Sequence, residues 1–120
     1  MMEIRQGCKY GIELEMTSAP HVSRDDIASA LSHNNIQVIN VDGSWAEAKK
    51  AYHHWKLVGD GSITCNVSQP FCNKFELVSP ILHSEHGLVT TASILGRLSR
   101  VGVTVNRSMG FHVHVDVSQY

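Results

Sequence analysis

Glu13 and Glu15 stand two residues apart in Gly11-Ile12-Glu13-Leu14-Glu15, and in an extended segment both side chains leave the same face. Carboxylates held so close repel each other unless a cation lies between them, and a hard divalent ion is their natural partner. Phe111-His112-Val113-His114-Val115-Asp116 repeats the arrangement, with His112, His114 and Asp116 on one side. Two imidazoles and a carboxylate are ligand types suited to a metal or a phosphate group. Each pattern alone also suits a solvated strand face; two of them in one small chain shift the balance toward a site. Glu76 is a single acid in the apolar run Phe75-Glu76-Leu77-Val78, so it must be paired, metal-bound or on the open side of a sheet. Asp60 and Ser62, in Val58-Gly59-Asp60-Gly61-Ser62, read as turn formers first and as accessory site residues second.

Other chemistries lack their residues. The glycines form neither G-x-x-x-x-G-K-[ST] nor G-x-G-x-x-G. His83-Ser84-Glu85-His86 has the wrong spacing for a zinc-protease pair and reads as a loop leading into a helix. Cys8, Cys65 and Cys72 are odd in number and hold no C-x-x-C, so reduced, structural thiols are expected and a disulfide framework is not.

The elements that must carry these residues follow from periodicity. Tyr10, Ile12, Leu14 and Met16 alternate with Lys9, Gly11, Glu13 and Glu15, predicting a strand over 8–16. Ser23 and Asp26 have the form of a capping box, predicting a helix from about Arg24 to His33. Branched residues predict a strand over 36–41. A second over 55–58 is stopped at Gly59-Asp60-Gly61, and Ile63 to Val67 is expected to pair back as a hairpin. The stretch 44–53 fits a loop or a helical turn. Phe75 to Val78 reads as a strand before Pro80. Leu88, Ala92, Leu95, Leu98 and Val101 recur at helical spacing, with Gly102 placed to end the helix in the left-handed conformation. Strands over 103–105 and 111–117 follow. The sum is an α+β domain, an antiparallel or mixed sheet with two helices packed on one face. Phe75, Leu77, Phe111, Val113 and Val115 should lie under the second helix, with the acids and histidines opposite.

A chain of 120 residues with 42% hydrophobic and 18% charged residues fits one folded domain. Ten basic against eleven acidic residues give a net charge of -1, which favours neither nucleic acid nor an anionic membrane surface. Without an apolar run long enough to span a bilayer, a cytoplasmic protein is expected.

In order and spacing, Gly11-Ile12-Glu13-Leu14-Glu15, Trp55 to Ser62, Glu76-Leu77-Val78-Ser79-Pro80-Ile81-Leu82, Val105-Asn106 and Gly110-Phe111-His112-Val113-His114-Val115-Asp116 resemble the N-terminal portion of the amidoligase family, from Tyr10 to Asp116. That family is similar to the carboxylate-amine ligases that include glutamine synthetase and glutamate-cysteine ligase. The resemblance implies a glutamine synthetase-like catalytic half-domain and ATP-dependent joining of a carboxylate to an amine through an acyl phosphate, with Mg2+ or Mn2+ as cofactor. It implies Glu13, Glu15, Glu76 and His112 as metal ligands, with His112 and His114 at the nucleotide. Family members continue past the equivalent of Tyr120, so residues 1–120 are expected to be an incomplete domain, inactive or only partly active alone, and inclined to self-associate through an open edge. Two other readings stand beside the ligase: a metal-dependent hydrolase, since H-x-H followed by an acid also suits that chemistry, and a non-catalytic module that binds nucleotide or a partner protein.

Overall fold

A computed structural model of the chain describes residues 8–41, 54–68, 70–104 and 110–115. The alternation at the start produces β1 (Lys9–Ser18), with Tyr10, Ile12, Leu14 and Met16 buried. This strand is the hub of the sheet. On one edge it pairs antiparallel with β4 (Asn73–Val78) and β5 (Leu82–His83); on the other it pairs antiparallel with β6 (Val103–Thr104) and β7 (Phe111–Val115). Beyond β4 lie β3 (Trp55–Gly59), antiparallel to it, and β2 (Val38–Val41), parallel to β3. The described residues thus form a mixed sheet of seven strands.

Two helices cover one face of it. α1 (Arg24–Leu31) begins at the expected capping box: the Ser23 hydroxyl accepts from the Asp26 amide, and the Asp26 carboxylate accepts from the Ser23 amide. It stops short of His33 because Ser32 turns extended, where its hydroxyl donates to the Ala28 carbonyl and accepts from the Val38 amide. α2 (Ser84–Leu98) starts earlier than its periodicity suggests, so Ser84, Glu85 and His86 are helical rather than a loop. Its N-cap, His83, makes no side-chain cap bond. Tertiary contacts fix the start instead, the Ser84 amide donating to the Cys8 carbonyl and the Tyr10 hydroxyl to the Ser84 carbonyl. Gly102 takes the left-handed conformation, φ +72°. Ile27, Leu31, Ile94 and Leu98 from the helices meet Leu14, Met16, Trp55, Leu57, Phe75 and Leu77 from the sheet to form the core.

Three expectations need correction. Ile63 to Val67 forms no strand: β3 pairs with β4 instead, Val58 opposite Glu76, and the intervening residues make a loop. That loop is closed by a Cys65–Cys72 disulfide, which leaves Cys8 as the one cysteine outside a disulfide. The pairing of β3 with β4 brings the two cysteines together across a turn that their spacing in sequence does not announce. On β7, Phe111 and Val115 are 50% and 45% exposed and Val113 half-buried. The cover supplied by the helices ends before the edge strand, while Phe75 and Leu77, nearer the centre, are fully buried as expected.

Gly87 marks the tightest helix-to-sheet approach. A Cβ there would meet the Tyr10 hydroxyl and stand 2.7 Å from the Leu82 Cβ, an atom with no freedom to yield. Gly87→Ala, which in an open helix would add about 1 kcal/mol of stability, is therefore expected to remove roughly 1–3 kcal/mol by overpacking. Urea denaturation measures the sign; an increase in stability would refute the close packing.

Candidate functional site

Directly opposed residues on neighbouring strands project to the same face, so the register decides which side chains meet. Glu13 is opposite Val78 on one side and His112 on the other; Glu15 is opposite Glu76; Gly11 is opposite His114. Glu13, Glu15, Glu76, His112 and His114 therefore share the sheet face turned away from the helices, as the sequence predicts. Asp116 lies outside the described residues.

Contacts on this face order its members. The Glu13 Oε2 and His114 Nε2 atoms are 3.4 Å apart, on side chains 35% and 65% exposed. The rings of His112 and His114 meet edge to face at 6.4 Å between centroids. Glu15 is held from both ends by Gly110: its Oε1 accepts from the Gly110 amide at 2.8 Å, and its own amide donates to the Gly110 carbonyl at 3.0 Å. A Cβ on Gly110 would fall 2.5 Å from His112 Nε2 and 2.8 Å from Glu15 Oε1, so any larger residue there must displace both side chains.

Glu76 is the electrostatic centre of the group. Burial raises its carboxyl above the ordinary carboxylate range, the charges of Glu13, Asp60 and Glu15 raise it further, and His112 pulls it down. Asp60 and Ser62 do behave as turn formers: the Asp60 Oδ1 accepts from both the Ser62 amide, at 3.0 Å, and its hydroxyl, at 2.6 Å. Asp60 also lines an open cleft of about 580 Å³ with Arg24, Asp25, Asn40 and Lys74. Glu13, Glu15, Glu76 and the two histidines do not line that cleft, so shape and donor chemistry point to neighbouring but different places. The donors carry the functional argument, because a concavity without convergent reactive groups specifies no chemistry.

Among the described residues, no three His, Cys, Asp or Glu side chains stand close enough to share one metal ion as they are placed. The donor set nevertheless fits a divalent cation in kind. Three carboxylates and two imidazoles emerge on one face from three adjacent strands, and the repulsion felt by Glu76 is of the sort a cation removes. Two members of this face escape a reading that looks only for acids and histidines. One is Gly110, whose signal is its place two residues before His112. The other is Lys56, opposite Val78 and so in the same row as Glu13 and His112. Its signal is its alternation with the buried Trp55 and Leu57.

No helix among the described residues is long and apolar enough to cross a membrane. The profile of the family described as "Putative amidoligase enzyme" matches residues 6–120. No curated protein and no solved structure matches the chain.

Proposed function

The chain belongs to the amidoligase family, and on that premise we propose that its open sheet face is the nucleotide- and metal-binding half of an ATP-dependent carboxylate-amine ligase with a glutamine synthetase-like architecture. The observation that carries the reading is the gathering of Glu13, Glu15, Glu76, His112 and His114 on one face, with the Glu76 carboxyl driven up by burial and by the other acids. Glu13, Glu15, Glu76 and His112 would hold Mg2+ or Mn2+. The ion would offset charge on the phosphates of ATP and help orient the phosphoryl group toward the carboxylate substrate. The residues themselves bind and position. Gly110 fixes the Glu15 carboxylate, His114 braces Glu13, and the sheet holds all of them rigidly from below, as a reaction dominated by positioning requires. Phosphoryl transfer from ATP to the carboxylate would give an acyl phosphate and release ADP; attack by an amine on its carbonyl carbon would then form the amide and release inorganic phosphate, the amine losing a proton. A hydrolase built on a parallel barrel is disfavoured, since β2 and β3 make the one parallel pair among the described strands.

Calorimetric titration with ATP at fixed Mg2+ tests the proposal. Glu13→Gln is expected to weaken binding about tenfold with the fold intact. Glu76→Gln should do the same and, without metal, also stabilise the protein. Because the Glu76 carboxyl is raised in the folded state, folding is favoured by its protonation. Its contribution declines as pH rises through the ordinary value of 4.5 and on to the raised one, and above that the ionised group stands against folding. The Gln variant lacks that decline, so its melting temperature at neutral pH should exceed that of the wild type in EDTA. Full Mg-ATP affinity in both variants would end the ligase reading.

A further inference from the structure

On the other side of the sheet from the acids, His33 and Ser93 join the two helices. His33 follows the end of α1, and both of its ring nitrogens are engaged: Nδ1 lies 2.6 Å from the Leu31 carbonyl oxygen, and Nε2 lies 2.6 Å from the Ser93 Oγ on α2. A carbonyl oxygen can only accept, so Nδ1 carries the hydrogen. In the neutral ring Nε2 then holds the lone pair, and the Ser93 hydroxyl donates to it. Nearby hydroxyls of α2 behave differently, Thr90 and Thr91 donating to carbonyls four residues back, at His86 and Gly87. Ser93 gives its proton to a base instead.

The backbone of that base is fixed as firmly as its ring. The His33 amide donates to the Ile36 carbonyl at 3.0 Å and the Ile36 amide to the His33 carbonyl at 2.7 Å, closing a two-residue turn in which Asn34 and Asn35 are both left-handed, φ 47° and 68°. Arg97, one turn beyond Ser93 on the same side of α2, donates through Nε to the carbonyl of Ala30, the residue next to Leu31, at 2.9 Å. A permanent positive charge therefore belongs to the same cluster. Ser93 and His33 are both half-buried, so a small reagent can reach the hydroxyl from solvent. The need of a helix end for carbonyl partners accounts for the bond to Leu31, but not for the bond to Ser93. A nucleophile within reach of a base, with the base oriented by a third group, is the arrangement that activates serine in acyl transfer, and a backbone carbonyl orients an imidazole as a carboxylate does.

We infer that Ser93 is a nucleophile, activated by His33, that accepts the acyl group of an activated ester. The Ser93 Oγ adds to the ester carbonyl carbon and its proton passes to His33 Nε2, while the Arg97 charge offsets that developing on the carbonyl oxygen. The leaving oxygen takes the proton from Nε2 and departs as the alcohol or phenol, and Ser93 remains as an ester. Water then adds to that ester, its proton passing through Nε2 to the Ser93 Oγ, which frees the acid and restores the serine. Because the dyad lies on the helix side of the sheet, it stands apart from the ligase reading.

The probe is p-nitrophenyl acetate, with nitrophenolate release followed by absorbance and the acetylated residue located by peptide mass spectrometry, in wild type, Ser93→Ala and His33→Gln. The expected result is acetylation at Ser93 in the wild type, none there in Ser93→Ala, and a rate about 100-fold lower or less in His33→Gln, with thermal melts showing both variants folded. Acetylation confined to other residues overturns the inference. So does an unchanged rate in His33→Gln, which would leave the contact as a tie between helices. If a variant unfolds, the wild type decides by itself: acetylation of Ser93 in the native protein but not in urea upholds the assignment, and equal acetylation in both states overturns it.

Discussion

Gly110→Ala is expected to cut divalent-metal affinity, and with it Mg-ATP binding, by on the order of 10- to 100-fold, while the melting temperature barely moves. The asymmetry comes from what an alanine methyl would strike. The nearest atoms are His112 Nε2 at 2.5 Å, His112 Cε1 at 2.6 Å and Glu15 Oε1 at 2.8 Å. All three are the free ends of side chains on a solvent-facing surface, so they can swing away without disturbing the core. In swinging away they leave the positions from which they would bind, and the hydrogen bond from the Gly110 amide to Glu15 is lost with them. Calorimetry with Mg2+ and ATP, beside a thermal melt, reads both quantities. Wild-type affinity in the variant would show that Glu15 and His112 take no part in binding.

The largest loss of stability is expected from Phe75→Ala, about 3–5 kcal/mol. Phe75 is 0% exposed, opposite Met16 on β1, itself 0% exposed, and opposite Gly59 on β3. Its ring fills the centre of the sheet where strands on both sides are fixed by pairing, so the cavity cannot close by a simple shift of backbone. A domain of this size has roughly 5–15 kcal/mol to lose, and the variant should unfold at a markedly lower urea concentration. A change below 1 kcal/mol would mean that the core at this point is not packed as described.

The features legible in the sequence are those set by local chemistry. The alternation at Lys9 to Met16 fixed both the strand and the common side of Glu13 and Glu15, and the capping box at Ser23 and Asp26 located the start of α1. Gly102 took the left-handed conformation that favours glycine, although its helix ends earlier, at Leu98, and a turn through Ser99 to Val101 lies between. The errors fall where distant residues decide. α2 starts at Ser84 because Cys8 and Tyr10 bind its first turn, and no side-chain cap advertises that. Ile63 to Val67 has strand-like residues, but β4 already occupies the edge of β3 that it would need. Phe111 and Val115 alternate correctly, yet periodicity reports which way a side chain points, not whether a helix reaches far enough to cover it. For the same reason the five acids and histidines could be assigned to faces of their own strands, whereas the row that adds Lys56 needed the register between strands.

The position of β1 at the middle of the sheet has a consequence for synthesis. Among the described strands it is the first to be made, yet its partners on both edges come later: β4 must be made before one edge is satisfied, and β7, in which Phe111 pairs with Leu14 and Val115 with Tyr10, before the other is. At roughly 5–20 residues per second, about a hundred residues of elongation separate Tyr10 from its last partner, so on the order of 5–20 s pass with an apolar strand exposed. During that interval α1 and β1 can collapse together, but the sheet cannot close. The nascent chain is therefore expected to keep the apolar side of β1 uncovered along that edge until the segment bearing His112 and His114 has been made.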